Sequence, residues 1–268
     1  MPELPEVETI RQDLEQEIAG KTLRDLEVKE RLHLLKNCSE RELKRSVVGQ
    51  RLIAMKRRGK YLLFCFEKFV VVLHLRMSGR LLLEPAKHTR LILEFEKNKT
   101  IYFDDARRFG ALYLSSQEEL EKLPALQKLG IEPFSKEYSL RNFRSRLNSR
   151  QEIKRWLLDQ SKVTGVGNIY ACEALFEARI GPEREASSLS SQESKRLFEA
   201  VLQILRRAIE FKGTSIESYR MPSGELGNFQ KNFKVYGRLK EPCHRCHGPI
   251  SRITQGGRST YFCRACQS

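Results

Sequence analysis

Leu4, Val7, Ile10, Leu14 and Ile18 recur every three or four residues, and Gly20 follows them. That spacing predicts an amphipathic helix over about residues 5–19. Pro5 suits its first turn, where a backbone N–H is not needed. The pattern then shortens. Residues 61–66, 69–75, 80–83, 91–96 and 100–103 are brief apolar or alternating runs, and they predict strands; the last two form a hairpin turned at Lys97-Asn98-Lys99. Residues 20–115 therefore read as an antiparallel β domain with the first helix packed on it. Past Glu132-Pro133-Phe134-Ser135 the helical spacing returns, over roughly 139–148, 151–159, 168–178 and 190–211. A linker at about 132–138 separates the two halves. Met221 to Asn228 is rich in turn residues and reads as a mobile loop.

Composition narrows the class. The chain has 268 residues, 40% hydrophobic and 31% charged, which excludes a disordered or collagen-like chain. No apolar run reaches the roughly 18 residues of a membrane span, and Phe69 to Leu73 is only strand length. The acidic start lacks the basic-then-apolar order of a signal peptide, so a soluble cytoplasmic protein is expected. Lys and Arg number 49 against 34 Asp and Glu, a formal charge of +15, and this favours a polyanionic partner, most simply nucleic acid. The excess is uneven: residues 44–60 carry seven bases and no acid, whereas residues 1–30 carry nine acids and four bases. Carboxylates at the start of a phosphate-binding protein oppose that binding, so some of them serve another purpose. Asp13, Glu15 and Glu17 read as a solvated helix face.

Three segments carry chemistry. Cys243-x2-Cys246 and Cys263-x2-Cys266, sixteen residues apart, place four thiolates for one structural Zn2+ across a β-hairpin. Cys38, Cys65 and Cys172 are left as reduced, partly buried small hydrophobes. Gly256-Gly257-Arg258 forms the hairpin tip, and its cation is either a DNA contact or part of a solvated turn. Gly165-Val166-Gly167-Asn168 precedes a helix, with Asn168 as N-cap; it is either a phosphate-binding helix start or a tight interhelical turn. Finally, Pro2 is small enough for Met1 to be removed, which would expose a secondary amine. An α-amino group titrates near 7.7–8.0 against about 10.4 for Lys, so it keeps a far larger nucleophilic fraction at neutral pH. Such an amine attacking a sugar C1′ gives an iminium directly, and neighbouring protons become acidic. Glu3 is adjacent as an acid, and Glu6 lies on the same side of the helix start. From this segment alone, Pro-Glu opening a helix is the simpler reading.

Taken together, Pro2-Glu3-Leu4-Pro5-Glu6-Val7-Glu8-Thr9, Arg58-Gly59-Lys60-Tyr61-Leu62, His74-Leu75-Arg76-Met77-Ser78-Gly79, Asp105-Ala106-Arg107-Arg108-Phe109-Gly110, the Gly165–Tyr170 turn and Val235-Tyr236-Gly237-Arg238 resemble the formamidopyrimidine-DNA glycosylases. The resemblance implies an α+β fold: an N-terminal helix plus antiparallel β-sandwich over 1–132, a helix–two-turn–helix domain over 138–238, and a zinc finger over 239–268. It implies a bifunctional glycosylase and abasic-site lyase acting on double-stranded DNA with oxidised purines or abasic sites; a monomer is the simplest arrangement for action on one lesion. Pro2 would be the nucleophile, Glu3 the general acid at the deoxyribose ring, and Glu6 a support. Lys60 would complete the catalytic set by binding phosphate beside the lesion. Met77, Arg107 and Phe109 would fill the gap left by the extruded nucleotide, although by residue type alone Met77 and Phe109 read as core. Asn168 and Arg258 would contact phosphates, and residues 213–236 would close over the flipped base. Lys212, where a second glycine is common, and Arg220-Met221-Pro222-Ser223 depart from the pattern. The rivals are an endonuclease VIII-like enzyme for oxidised pyrimidines, disfavoured by Leu4 and by the Met77/Arg107/Phe109 set, and a non-catalytic zinc-stabilised DNA-binding protein.

Overall fold

Helix α1 spans Leu4–Ile18 and buries Leu4, Val7, Ile10, Leu14 and Ile18, the positions the spacing singles out. This computed structural model describes residues 1–29, 34–215 and 220–268. They form two compact units: residues 1–127 with 211–228, and residues 128–210 with 229–268.

In the first unit α1 is followed by β1 (Leu23–Val28), α2 (Glu40–Val47), β2 (Leu52–Arg58), β3 (Tyr61–Phe66), β4 (Phe69–His74), β5 (Arg80–Leu82), β6 (Thr89–Phe95), β7 (Lys99–Asp104) and β8 (Ala111–Ser116). The strands make two antiparallel sheets, ordered β1-β6-β7-β5 and β2-β3-β4-β8. Leu26, Leu93 and Phe103 of one sheet share a single hydrophobic cluster with Leu62, Phe64 and Leu73 of the other and with Val7, Ile10 and Leu14 of α1. β3 is buried along its whole length, hence its unbroken apolar run, whereas β6 alternates between buried and partly exposed positions. The hairpin between β6 and β7 turns where expected, with Lys97 and Asn98 both left-handed at φ 58° and 54°. The sequence reading does not resolve β1, β2, β8 and α2 as separate elements. β1 interleaves Arg24, Asp25 and Glu27 with its buried residues, and α2 buries only Leu43 and Val47 among six polar positions.

The expected loop over 221–228 belongs to the first unit, where Met221 and Pro222 are buried, Met221 within the same cluster. Its foot is closed by a bridge between Thr214 and Asn228. Of the segment assigned to closing over the flipped base, residues 216–219 lie outside the described residues.

The second unit contains α3 (Leu140–Ser145), α4 (Ile153–Leu158), α5 (Asn168–Ala178), α6 (Ser191–Glu210) and the hairpin β9 (Ile250–Gln255) to β10 (Arg258–Cys263). The linker expected at 132–138 begins just after a segment in this unit where Ile131 pairs with Val163. Trp156 is fully buried against Phe143, and its indole N–H donates to the Arg146 carbonyl at 2.9 Å. Among the described residues no helix is long and apolar enough to cross a membrane.

One buried acid organises the approach to the hairpin. The Glu173 carboxylate of α5 accepts the backbone N–H groups of Lys234, Val235 and Tyr236 at 2.9, 3.0 and 2.8 Å. Desolvation pushes its pKa up, and the three hydrogen bonds oppose that rise. Replacing it strands three donors, each costing about 1–3 kcal/mol if left unpaired. Glu173→Ala is therefore expected to lose about 3 kcal/mol in urea unfolding; a loss below about 1 kcal/mol would mean that the donors find other partners.

Candidate active site and nucleic-acid interface

The N-terminus is held rather than frayed. Glu3 is the N-cap of α1 in extended conformation, and its N–H donates to Glu6 Oε2 at 2.8 Å. Glu6 Oε1 accepts the N–H of Thr214 at 2.8 Å, so one carboxylate that is only 2% exposed ties the helix start to the foot of the 214–228 loop. Glu3 is itself buried. In the chain as encoded Met1 precedes Pro2, and the Pro2 nitrogen is an amide; removal of Met1 converts it to a secondary amine at the helix start.

Lys60 sits at the tight β2–β3 turn and is buried. Across the β3–β4 pair Tyr61 faces His74, with ring centroids 4.5 Å apart edge to face. His74 Nδ1 accepts the Arg76 N–H at 2.9 Å, which leaves the ring proton on Nε2. Burial, then the Arg76 and Lys60 cations, push the His74 pKa down to about 3. His74 is thus held neutral with its proton on Nε2, which its residue type and position in the sequence do not reveal.

Met77 and Phe109 are exposed, at 42% and 51%, against the expectation that their residue types alone raise. Both lie on short loops, Met77 after β4 and Phe109 before β8, and the Arg107 guanidinium lies 4.8 Å from the Phe109 ring centroid. Exposed apolar side chains scattered singly are ordinary; what marks these two is that both stand on short loops at strand ends, with an arginine against one of them. The structure therefore groups Pro2, Glu3 and Glu6, places Lys60 in the turn just before Tyr61, the cross-strand partner of His74, and brings Arg107 onto Phe109.

In the second unit Gly167, not Asn168, is the N-cap of α5; Asn168 is the first helical residue. Its Nδ2 donates to the Ser259 carbonyl of β10 at 2.9 Å, so the amide joins the helix start to the hairpin and keeps a second N–H. Arg258 opens β10, exposed, directly after the Gly256-Gly257 tip. The four Sγ atoms of Cys243, Cys246, Cys263 and Cys266 lie within 4.8 Å of one another. Cys243–Cys266 and Cys246–Cys263 are 3.9 and 3.4 Å apart, near the ~3.8 Å that tetrahedral Zn–S bonds impose. The set fits one structural zinc, four thiolates leaving no position for water. The cysteine module is anchored to the end of α5: Arg245 donates to the Phe176 carbonyl at 2.6 Å, and Gln267 links the Cys263 N–H to the Ile180 carbonyl, both at 2.9 Å.

Family models match along the chain: Formamidopyrimidine-DNA glycosylase N-terminal domain over residues 1–112, Formamidopyrimidine-DNA glycosylase H2TH domain over 129–220, and Zinc finger found in FPG and IleRS over 240–268. A formamidopyrimidine-DNA glycosylase of Desulfitobacterium hafniense is 43% identical over 274 residues, covering 100% of both chains. One from Halalkalibacterium halodurans is 42% identical over 275 residues, again covering 100% of each. Among solved structures, the MutM (Fpg) protein of Thermus thermophilus matches with a TM-score of 0.91 at 41% identity, over 99% of this chain and 98% of that one. Lactococcus lactis Fpg, solved with DNA containing an abasic site, matches with a TM-score of 0.90 at 35% identity over 99% of both.

The depressed His74 pKa fixes a sign. The unfolded chain takes up that proton near 6.5 and the folded chain near 3, so stability is lost as pH falls from 6.5 toward 3. At pH 5 the loss amounts to about 2 kcal/mol. Imidazole NMR is expected to show His74 neutral from pH 8 to 5; an inflection near 6.5 would contradict the geometry.

Proposed function

The chain belongs to the formamidopyrimidine-DNA glycosylase family, and from that premise we propose that it excises oxidised purines, 8-oxoguanine and formamidopyrimidines, from double-stranded DNA and cuts the strand at the abasic site. The observation that carries this reading is the fixed start of α1, where Glu6 holds the backbone beside Pro2. The terminus of a chain is usually mobile. A nucleophile must instead be positioned, because orientation alone supplies several kcal/mol of a barrier.

With Met1 removed, the Pro2 amine attacks C1′. The bond from C1′ to the base breaks, and the base departs with its electron pair and a proton. Glu3 donates a proton to the ring oxygen as the C1′–O4′ bond opens, which leaves an iminium between Pro2 and C1′. That cation acidifies the C2′ protons. Loss of one expels the 3′ phosphate, a second elimination expels the 5′ phosphate, and hydrolysis frees Pro2. The base must leave the stack first, at a cost of a few kcal/mol. Met77 and Phe109, exposed as the role requires, enter the void and offset part of that cost. Arg107 hydrogen-bonds the orphaned base. Lys60, Asn168 and Arg258 bind phosphates, the term that dominates affinity for a chain of charge +15. Residues 213–236 close over the extruded base. Acting as a monomer on one lesion is the simplest arrangement, and the bacterial setting of the relatives supports a cytoplasmic enzyme.

Duplexes carrying 8-oxoguanine opposite cytosine, thymine glycol or an abasic site separate the readings. The Met1-free protein is expected to cut the 8-oxoguanine and abasic duplexes. Preference for thymine glycol would overturn the lesion class, and no cutting would overturn the enzyme. Arg258→Ala is expected to weaken binding to all sequences and to flatten the slope of log K against log salt by about one charge. An unchanged slope would remove Arg258 from the phosphate contacts.

A further inference from the structure

Two loops carry the exposed Met77 and Phe109, and one buried acid holds both. Asp105, only 1% exposed, follows β7 directly. Its Oδ2 accepts the Gly110 N–H at 2.7 Å, on the loop of Phe109. Its Oδ1 accepts the hydroxyl of Ser78 at 2.5 Å, on the loop of Met77. The same hydroxyl oxygen accepts the Arg107 N–H at 3.1 Å, so the bonds cross from one loop to the other and back. Asp105 is itself pinned, its N–H donating to the His88 carbonyl at 3.0 Å and its carbonyl accepting from Arg90 Nε at 3.1 Å.

Packing repeats the arrangement. A Cβ added at Gly79 would come within 2.8 Å of the Phe103 ring, and one added at Gly110 within 2.6 Å. The ring belongs to β7, so both loops press on one strand end from bare backbone. Each apolar residue also follows an arginine in the left-handed region, Arg76 at φ 57° before Met77 and Arg108 at φ 60° before Phe109. Such backbone costs about 1–2 kcal/mol per residue and persists only where the surroundings over-determine it.

We infer that Asp105 and Ser78 form a clamp that makes the Met77 and Phe109 loops a single rigid wedge. Asp105 is a positioning residue and touches no reacting atom. The inference rests on the reading of Met77 and Phe109 as the pieces that enter the duplex. Two apolar side chains on independent loops would each lose conformational freedom on insertion; locked to one carboxylate, that freedom is already spent in the folded protein.

The test uses a duplex with an uncleavable tetrahydrofuran abasic site beside 2-aminopurine, whose fluorescence rises when the stack is opened. Ser78→Ala removes two hydrogen bonds without creating bulk, and is expected to slow insertion roughly tenfold. Asp105→Asn is expected to slow it in the same direction, and Ser78→Thr, which keeps the hydroxyl, to restore it to within about twofold. The deciding arm is a cycle: in a Met77→Ala/Phe109→Ala background, Ser78→Ala is expected to add no further slowing. Native insertion by Ser78→Ala, or undiminished slowing in that background, would overturn the clamp. Native insertion by the Met77→Ala/Phe109→Ala variant would instead overturn the wedge reading, and the clamp with it.

Discussion

The buried carboxylate of Glu6 is the constraint on which the rest depends. Its two oxygens accept the N–H of Glu3 and the N–H of Thr214, residues at opposite ends of the first unit's sequence. The first bond satisfies a donor that a helix start leaves over, and fixes the residue next to Pro2. The second sets the foot of the loop that carries Met221 back into the core. Chemistry at a chain terminus needs such a hold, because a misplacement of about 1 Å costs of order a hundredfold in rate.

The same device appears twice more. Asp105 gathers the two apolar loops, and Glu173 gathers the three N–H groups that lead to the cysteine module. In each case an acid on a strongly basic protein is withdrawn from the surface and given backbone or hydroxyl donors. A carboxylate exposed on a phosphate-binding face would repel its ligand; buried and satisfied, it stiffens loops instead. These three acids thus serve geometry, while Arg107 and Arg258 stay exposed.

Much of this was legible before any coordinates. The three-to-four spacing of α1 has one physical reading; the unbroken run of β3 is told from a buried helix by its shortness and its aromatic residues, and the pair of C-x2-C knuckles with their sixteen-residue gap has a strongly preferred reading. Elements of mixed polarity were not legible: β1 and α2 bury too few positions to rise above their charged neighbours. Nor could residue type reveal that Met77 and Phe109 face outward, since the same residues fill cores. The carboxylate clamps lay hidden for a different reason. Glu6 and Thr214 are 208 residues apart, Glu173 and Lys234 are 61 apart, and backbone donors leave no signature in side-chain chemistry. The residue type of Asn168 suits a cap, but Gly167 takes that position and the Asn168 amide reaches the hairpin.

The central claim is that the Pro2 nitrogen, freed of Met1, bonds to C1′ of the damaged nucleotide. Reduction with borohydride during turnover on an 8-oxoguanine duplex converts that iminium into a stable amine, and peptide mapping then locates it. The account predicts one covalent adduct per chain, on the peptide that begins with Pro2. No adduct with fully processed protein, or an adduct on a lysine, would contradict it.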